Sequence, residues 1–315
     1  MRIAVLDDWQ RVALSSADWG PVLEIARIDS FADHLTDPGL LTQRLMPYDA
    51  VVLMRERTAL SSAVIESLPN LRLIVTTGRA NTAIDLPAAG RRQVTVCGTS
   101  SLSSAPAELT WALILGLARR LPTELANVRS GRWQTTVGLG LAGRTLGVVG
   151  LGRIGSRVAE VGAALGMEVI AWSRTLTAER ARSHHARHVE LDDLLRNADV
   201  VSVHVPLTDD TRHLLDAQRI GVMKRGALLV NTARSGLIDT DAAVRAIRTG
   251  QLAGLGLDVY DLEPLPTNHP LRTMPGVLAT PHLGYVSDDV YAVFFQQVVE
   301  DIVAFAAGSP VRLLA

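Results

Sequence analysis

The chain has 315 residues, of which 48% are apolar and 20% charged, and this length and composition suit two globular domains with buried cores. The formal net charge of −1, with no long run of one sign, gives no indication of a surface for nucleic acid or anionic membrane. A membrane-spanning helix needs about 20 uninterrupted apolar residues, and no segment has so many. The N-terminus MRIAVLDDWQ lacks the pattern of a signal peptide. We therefore expect a cytoplasmic protein with neither membrane nor nucleic-acid partners.

Short β-branched runs alternate with stretches of helical spacing in the first third of the chain. The runs predicted to be strands are Arg2–Leu6, Ala50–Leu53, Leu71–Thr76 and Val94–Val96. This alternation predicts a parallel sheet with helices on its faces. Cys97, the only cysteine, ends the last run, so we expect a buried thiol and no internal disulfide.

A strongly apolar helix is predicted next, over Pro106–Leu121, with a proline in its first turn and Pro122 just beyond its end. A second series of short apolar runs follows, suited to strands buried on both faces. These runs are Thr145–Val149, Val169–Trp172, Val200–Val205, Leu228–Asn231, Leu255–Asp258 and Val277–Ala279. A final helix is predicted at about Asp288–Ala307.

The segment GVVGLGRIGSRVAE contains a G-x-G-x-x-G motif between a predicted strand and a predicted helix. Its glycines are Gly150, Gly152 and Gly155. In a dinucleotide-binding turn they allow the tight turn, the approach of the pyrophosphate and the packing of helix on strand. The backbone N–H groups around Arg153 and Ile154, at the positive end of the helix, would then receive the phosphates.

The end of the next strand indicates which dinucleotide binds. NAD-binding proteins usually place Asp or Glu there, whereas this chain has Ser173 followed by Arg174. A hydroxyl and a guanidinium suit a 2′-phosphate, so the pattern favours NADP(H). The alternative is that Arg174 stacks on adenine or points to water while NAD binds.

Three later segments combine a strand end with chemically active side chains: LLVNTARSG, LGLDVYDLEPLP and LATPHLGY. Arg234 in the first offers a planar fork for a carboxylate. His282 in the third can protonate a developing alkoxide, and Glu263 in the second would orient the imidazole and favour its charged form. This set predicts hydride transfer between a nicotinamide dinucleotide and a small 2-oxo acid, without a metal.

In this order after GLGRIG, the motifs NTARSG, LDVYDLEP and PHLGY resemble those of the D-isomer-specific 2-hydroxyacid dehydrogenase family, over nearly the whole chain. The likeness is to its glyoxylate/hydroxypyruvate reductase and phosphoglycerate dehydrogenase branches. The resemblance implies that Arg234 binds and polarises the substrate, that His282 is the acid/base and that Glu263 is its partner. It also implies a group of cofactor-side residues: His204, Val205, Pro206, Thr232, Ala233, Asp258 and Gly284.

The resemblance further implies an α/β architecture of two domains. Residues 1–100 and 284–315 would form a smaller flavodoxin-like substrate domain, and residues 101–283 a doubly wound Rossmann domain that binds the dinucleotide. Family members are usually homodimers through the nucleotide domain. The segment SGRWQ, with Trp133, resembles one that reaches toward the partner subunit's site.

The substrate domain departs from the family pattern in TTGRANTAID. Gly78, Ile84 and Asp85 match, but Ala80 replaces a glycine and Thr82 an aspartate. Arg79 either contacts a second anionic group of a ligand or is a solvated loop residue. The predicted substrate contacts are Arg55, Gly78, Arg79, Ala80 and Tyr285.

Several alternatives remain open at this stage. Arg55 and Arg57 either face the cleft or form a solvated pair at a strand end, with Arg55 the better candidate by family position. Trp9 and Tyr285 either line the pocket or pack in the core or at its rim. The HHARH segment, with His184, His185 and His188, is interpreted as surface rather than as a metal site. The chain could be a corepressor-like module that senses a dinucleotide, or a phosphite-type dehydrogenase on the same fold. The residues do not distinguish glyoxylate from hydroxypyruvate or larger 2-oxo acids.

Overall fold

A computed structural model describes residues 1–314, which form two compact units. One consists of Met1–Leu102 together with the residues from Tyr285 onward, and the other of Ser103–Gly284. Each unit has its own sheet, and every strand pair in both sheets is parallel. The predicted α/β class is confirmed.

The N-terminal part of the first unit alternates strands and short helices. Its elements are β1 (Arg2–Val5), α1 (Gly20–Leu23), β2 (Arg27–Ser30), α2 (Pro38–Leu45), β3 (Ala50–Leu53), α3 (Ser62–Glu66), β4 (Leu73–Thr76), α4 (Leu86–Arg91) and β5 (Thr95–Gly98). The strands lie in the order β2-β1-β3-β4-β5. Every residue of the central strands β3 and β4 is buried, because helices cover both faces of the sheet.

The strand β2 was not predicted from the sequence. It lies at the edge of the sheet, its sequence is RIDS, and none of its residues is fully buried. An edge strand with one solvated side needs no apolar run, so hydrophobic periodicity gives no signal for it.

The second unit begins with two helices and continues as a larger α/β sheet. Its elements are α5 (Ser104–Ala118), α6 (Leu121–Arg129), β6 (Thr145–Val149), α7 (Arg153–Ala164), β7 (Glu168–Trp172), α8 (Ala178–Arg182), β8 (Arg187–His188), α9 (Leu191–Asn197), β9 (Val200–Val203), α10 (Ala217–Val222), β10 (Ala227–Asn231), α11 (Thr240–Arg248), β11 (Leu252–Leu257) and β12 (Val277–Ala279). The strand order is β12-β11-β10-β9-β6-β7-β8.

The predicted helix Pro106–Leu121 is in fact two helices. Helix α5 ends at Ala118, Arg120 adopts a left-handed conformation with φ of 51°, and α6 starts at Leu121. Pro122 therefore lies in the first turn of α6, where its missing N–H costs nothing, rather than beyond the end of a single helix. Helix α5 is largely buried, since Trp111, Leu113 and Ile114 are at most 5% exposed.

The last helix, α12 (Asp288–Ala306), belongs to the first unit and buries Phe294 and Phe295 completely or almost so. No helix among residues 1–314 is both long and apolar enough to cross a bilayer. Cys97 is buried in β5 as predicted, and burial raises the pKa of its thiol to about 11. The thiol is therefore protonated at neutral pH.

The C-terminal segment is tied to α12 by a buried ion pair. Nε of Arg312 lies 2.9 Å from Oδ1 of Asp301, whose side chain is fully buried, and Leu314 donates its N–H to the carbonyl oxygen of Val96 at 2.7 Å. Burial raises the pKa of the Asp301 carboxyl group from 3.8 to about 6, against the opposing charge of Arg312. Between about pH 4 and pH 6 the folded protein therefore holds a proton there that the unfolded chain has released.

The raised pKa predicts a specific pH dependence of stability. The Asp301 carboxyl group favours folding when it is protonated, and this contribution is lost as pH rises from about 4 to about 6, by roughly 3 kcal/mol. Asp301→Asn, which mimics the protonated group, should gain stability relative to wild type over that interval in urea unfolding. Asp288→Asn, on an exposed carboxyl group of the same helix, is the control and should follow wild type. Parallel pH curves for wild type and Asp301→Asn would refute this.

Candidate active site

In the glycine-rich turn after β6, backbone segments pack closely against one another. Gly150 has φ of +106°, and a Cβ atom there would lie 2.7 Å from the backbone of His204 and Val205. A Cβ atom at Gly155 would overlap the carbonyl oxygen of Gly150. At Gly152, in contrast, a Cβ atom would meet nothing within 4 Å. Two of the three glycines are thus required by the fold itself, and the middle one faces open space.

The N-terminus of α7 follows this open space. No side chain caps the helix at Gly152, so the N–H groups of the first turn have no side-chain acceptor. Arg153 is exposed, and Ile154 packs partly against the core. Uncapped N–H groups and a positive helix end suit an anion, so these residues fit the pyrophosphate of a dinucleotide.

The end of β7 lies beside the same turn. The hydroxyl oxygen of Ser173 accepts the N–H of Leu151 at 2.8 Å. Arg174 is exposed and lies 3.4 Å from Asp210, which is equally exposed, so this ion pair is weak. Arg180, which sequence reasoning did not single out, donates to the carbonyl oxygen of Leu151 at 3.4 Å. Arg174, in the loop before α8, and Arg180, on α8, thus bring guanidinium groups to this end of β7, and positions 173–175 carry no carboxylate.

His204 follows β9, and its backbone packs against Gly150 of the glycine-rich turn. Its Nε2 atom lies 2.7 Å from the hydroxyl of Ser202, and desolvation by burial lowers the pKa of the imidazole to about 4. The ring is therefore neutral at neutral pH and is unsuited to protonate a substrate. Val205 is buried and Pro206 exposed in the same loop.

The loop after β10, which carries Arg234, is fixed by a buried asparagine. The side chain of Asn231 accepts the N–H of Ala233 at 3.0 Å and donates to the carbonyl oxygen of Arg234 at 2.8 Å. The hydroxyls of Thr232 and Thr110 lie 2.8 Å apart, which ties the loop to α5. Asn231 is fully buried and was not predicted as a site residue. Its signal in the sequence is a polar residue that ends a wholly apolar strand.

Glu263 and His282 lie together beyond the neighbouring strands β11 and β12. Nδ1 of His282 is 2.7 Å from Oε2 of Glu263, and Oε1 of Glu263 accepts the N–H of Tyr260 at 2.9 Å. The side chain of His282 is 20% exposed and that of Glu263 is 29% exposed, so ligands can reach them. With Nδ1 held by the carboxylate, Nε2 is the ring nitrogen that can exchange a proton with a substrate.

Asp258 anchors the turn that carries His282. Its buried carboxylate accepts hydrogen bonds from the hydroxyl of Thr280 at 2.7 Å and from the N–H groups of Leu283 at 2.7 Å and Gly284 at 2.8 Å. Burial raises the pKa of this carboxyl group, and the three hydrogen bonds and the nearby His282 oppose that effect. Contact of Asp258 with a nicotinamide carboxamide stays a prediction.

Tyr260 also supports the turn that carries His282, and the sequence analysis did not identify this residue. Its hydroxyl lies 3.0 Å from the carbonyl oxygen of Leu257 and 2.9 Å from that of Thr280. Burial raises the pKa of the Tyr260 hydroxyl, so it remains a proton donor to these carbonyls. The aromatic residue in the DVYDLEP segment thus joins the ends of two strands.

In the first unit, Arg55 and Gly78 lie together at the carboxyl ends of β3 and β4. Arg55 has φ of 55°, and its guanidinium occupies the position that a Cβ atom of Gly78 would take. The side chain of Asn81 donates to the carbonyl oxygen of Arg55 at 2.6 Å. Arg79 and Ala80 are exposed, and their contact with substrate stays a prediction.

Tyr285 is buried in the first unit, with its ring 6.2 Å from that of Phe294. Of the three histidines in the HHARH segment, His184 forms a surface pair with Glu160 at 3.1 Å. Within residues 1–314, no three side chains of the His, Cys, Asp or Glu type are grouped to hold a metal ion.

Comparisons with known proteins show what the chain is similar to. Residues 111–284 match the family model described as D-isomer specific 2-hydroxyacid dehydrogenase, NAD binding domain. A glyoxylate reductase of Aeropyrum pernix is 40% identical over 255 residues, which cover 78% of this chain and 76% of that protein. A glyoxylate reductase of Thermococcus litoralis is 34% identical over 292 residues, covering 89% and 88%. The crystal structure of a phosphoglycerate oxidoreductase from Vibrio cholerae superposes with a TM-score of 0.92 at 37% identity, covering 98% and 99%.

The glycine turn gives a matched pair of substitutions. Gly155→Ala should lower both stability and dinucleotide affinity, because its methyl group overlaps the carbonyl oxygen of Gly150. We expect a destabilisation of about 2 kcal/mol or more. Gly152→Ala should leave thermal unfolding close to wild type, because a Cβ atom there meets nothing within 4 Å. We expect it to weaken dinucleotide binding in calorimetry, since the second glycine of such a motif lets the pyrophosphate approach the backbone. Equal stability of the two variants would contradict this assignment.

Proposed function

This chain belongs to the D-isomer specific 2-hydroxyacid dehydrogenase family, and on that premise we propose that it reduces a small 2-oxo acid to the D-2-hydroxy acid. The observation that carries the proposal is the contact of 2.7 Å between His282 and Glu263 at the carboxyl ends of β11 and β12. Arg234 follows the adjacent strand β10. In open parallel sheets, ligands bind at this end of the strands.

Arg234 is proposed to bind the carboxylate of the substrate and to polarise its 2-oxo group. A guanidinium can form two parallel hydrogen bonds to a carboxylate, which fixes the acid in one orientation. The hydrogen bonds of Asn231 to the N–H of Ala233 and to the carbonyl oxygen of Arg234 hold the loop in place before the substrate arrives. Such preorganisation lets the contact act without reordering the loop.

His282 is proposed as the acid that protonates the carbonyl oxygen as it gains negative charge. Its Nδ1 atom is held by Glu263, so the proton passes from Nε2 to the substrate oxygen. The carboxylate keeps the ring in a fixed orientation before and after the transfer. In the oxidation direction, the same nitrogen takes the proton from the substrate hydroxyl.

The dinucleotide, when bound, supplies or accepts the hydride through its nicotinamide ring. The turn at Gly150, Gly152 and Gly155 and the N-terminus of α7 are proposed to hold its pyrophosphate. The loop of His204, Val205 and Pro206, the backbone at 232–233 and the Asp258–Gly284 turn are proposed to line the nicotinamide half. All these segments follow strands of one sheet.

The family model supports NAD(H), and we infer a preference for NADP(H) from the end of β7. Ser173 and Arg174 stand where a carboxylate would reject a 2′-phosphate. The weak, exposed contact of Arg174 with Asp210 leaves the guanidinium able to turn to a phosphate at little cost. Arg180 adds a second positive charge near the same turn.

This preference predicts a higher kcat/KM with NADPH than with NADH. Arg174→Ala should lower the NADPH-to-NADH ratio about tenfold, the effect of losing one charged hydrogen bond. Arg187→Ala is the control, since Arg187 is also exposed and paired, with Glu168 at 3.0 Å. A clear NADH preference of the wild-type enzyme would refute the inference.

We also infer a homodimer formed through the second unit. Helix α6 and the segment after it expose a row of large apolar side chains, and buried contacts between subunits would remove this surface from water. The row consists of Leu121, Leu125, Val128, Trp133 and Val137, which are 47% to 92% exposed. Trp133 lies in the segment that resembles one reaching toward a partner subunit.

The acid/base assignment predicts the behaviour of one further variant. His282→Ala should lower turnover with 2-oxo acids by about 100-fold to 10,000-fold while dinucleotide affinity stays close to wild type, because the imidazole acts on the substrate. His184→Ala removes another histidine paired with a glutamate, at 3.1 Å, and should keep wild-type rates. The assay panel should contain glyoxylate, hydroxypyruvate and larger 2-oxo acids, with phosphite as a test of the other dehydrogenase chemistry.

Near-normal rates of His282→Ala across the pH range would show that the imidazole is not the acid. Binding of the dinucleotide without turnover of any compound in the panel would instead favour a sensing module and contradict the proposed reaction. Turnover of phosphite alone would contradict it as well.

A further inference from the structure

Tyr260 contacts both members of the proposed acid/base pair from one position in the loop after β11. Its backbone N–H donates to Oε1 of Glu263 at 2.9 Å, while Oε2 of the same carboxylate lies 2.7 Å from Nδ1 of His282. Its hydroxyl lies 2.9 Å from the carbonyl oxygen of Thr280, which precedes His282 by two residues. The carboxylate and the segment that carries the imidazole are therefore both tied to one residue.

The carbonyl group of Thr280 is the point at which the phenol can act on the imidazole. Its oxygen accepts the N–H of His282 at 3.0 Å, across Pro281, as well as the hydroxyl of Tyr260. A hydrogen bond between residues i and i+2 closes a tight turn, so the direction of the carbonyl group sets the direction of the amide that it accepts. His282 follows with φ of 55°, a conformation that a non-glycine residue keeps only under constraint. A group that fixes the Thr280 carbonyl therefore also limits how the imidazole can turn.

The hydrogen bonds to Asp258 do not replace this contact. Asp258 accepts the hydroxyl of Thr280 and the N–H groups of the two residues that follow His282. It therefore holds the side chain of Thr280 and the backbone after the imidazole, whereas Tyr260 holds the main-chain carbonyl before it. The two supports act on opposite sides of the histidine.

The hydroxyl of Tyr260 is a neutral donor that can be removed without removing the ring. Burial raises the pKa of this phenol, and the nearby carboxylates of Asp258 and Glu263 act in the same direction, so the group stays protonated at neutral pH. The carbonyl oxygen of Leu257 lies 3.0 Å away, so the single proton bridges the last residue of β11 and the residue after β12. The aromatic ring packs against the core of the second unit. Phenylalanine at this position would keep that packing and lose the bridge.

We propose that Tyr260 is a positioning residue that sets the angle between the imidazole of His282 and the carboxylate of Glu263. Its hydroxyl fixes the backbone ahead of the imidazole, and its N–H fixes the carboxylate. The contact of 2.7 Å between the two side chains is short, so a small rotation of either one lengthens it and turns Nε2 away from the oxygen that it should protonate. This inference rests on the proposed function, and it assigns to Tyr260 no contact with the substrate.

The test is Tyr260→Phe, measured by single-turnover reduction of the 2-oxo acid that wild type reduces fastest. At saturating concentrations of both ligands, the rate constant of hydride transfer should fall about threefold to 50-fold, the effect of one lost hydrogen bond and a misplaced acid. The KM of the 2-oxo acid and the Kd of the dinucleotide should stay within about twofold of wild type. This rate constant counts only folded, liganded molecules, so a smaller folded fraction cannot imitate the result.

Tyr48→Phe is the matched control. The hydroxyl of Tyr48 also donates to an oxygen atom, that of the Asp29 carboxylate at 2.8 Å, but this contact lies in the first unit. The rate constant of hydride transfer in Tyr48→Phe should therefore equal that of wild type.

A second pair of variants separates positioning from a general structural effect. In a His282→Ala background, Tyr260→Phe should change the residual rate constant by less than about twofold, because the side chain that it positions is already gone. A phenol that supports only the fold of the loop would instead cost the same factor in both backgrounds, since independent effects multiply.

Two results would overturn the inference. One is a fall of less than about threefold in the rate constant of Tyr260→Phe, which is below the effect of a typical hydrogen bond. The other is an equal loss with and without the imidazole of His282. If wild type reduces no 2-oxo acid, glyoxylate included, the proposed function itself fails, and that outcome is recognised before any variant is compared.

Discussion

The carboxylate of Asp258 lies buried at the end of β11 and accepts three hydrogen bonds from the segment that carries His282. These bonds hold the turn in which His282 adopts a left-handed conformation with φ of 55°, a geometry that a non-glycine residue keeps only when its surroundings impose it. Glu263 then meets Nδ1 of the imidazole at 2.7 Å. The orientation of the proposed acid thus depends on a carboxylate that need not touch the substrate.

The second unit holds the residues proposed to act on the dinucleotide and on the reacting carbonyl. They lie at the carboxyl ends of strands that are side by side in one sheet. The chemistry of the proposed reaction is therefore concentrated at one edge of this sheet.

Much of this fold was predictable from the sequence, for a physical reason. Central strands of parallel sheets are buried on both faces, so they appear as short apolar runs, whereas the edge strands β2 and β8 are partly polar and gave no signal. Pro122 was misinterpreted because a proline that starts α6 and one that follows α5 look alike in sequence.

The site was predictable only in part. Motif order indicated the region of Arg234, Glu263 and His282, because each follows a strand of the same sheet. The supporting contacts of Asn231 and Tyr260 were not identified, since they depend on which backbone groups the folded chain brings near them. A hydrogen bond across two loops leaves no period in the sequence.

The most direct test of the central claim is isotopic. The wild-type chain should be incubated with a 2-oxo acid and a reduced nicotinamide dinucleotide that carries deuterium at the transferable C4 position, and the product examined by mass spectrometry. The account predicts a 2-hydroxy acid of D configuration with one deuterium at C2. A product without deuterium, or a dinucleotide that binds and is never consumed, would contradict it.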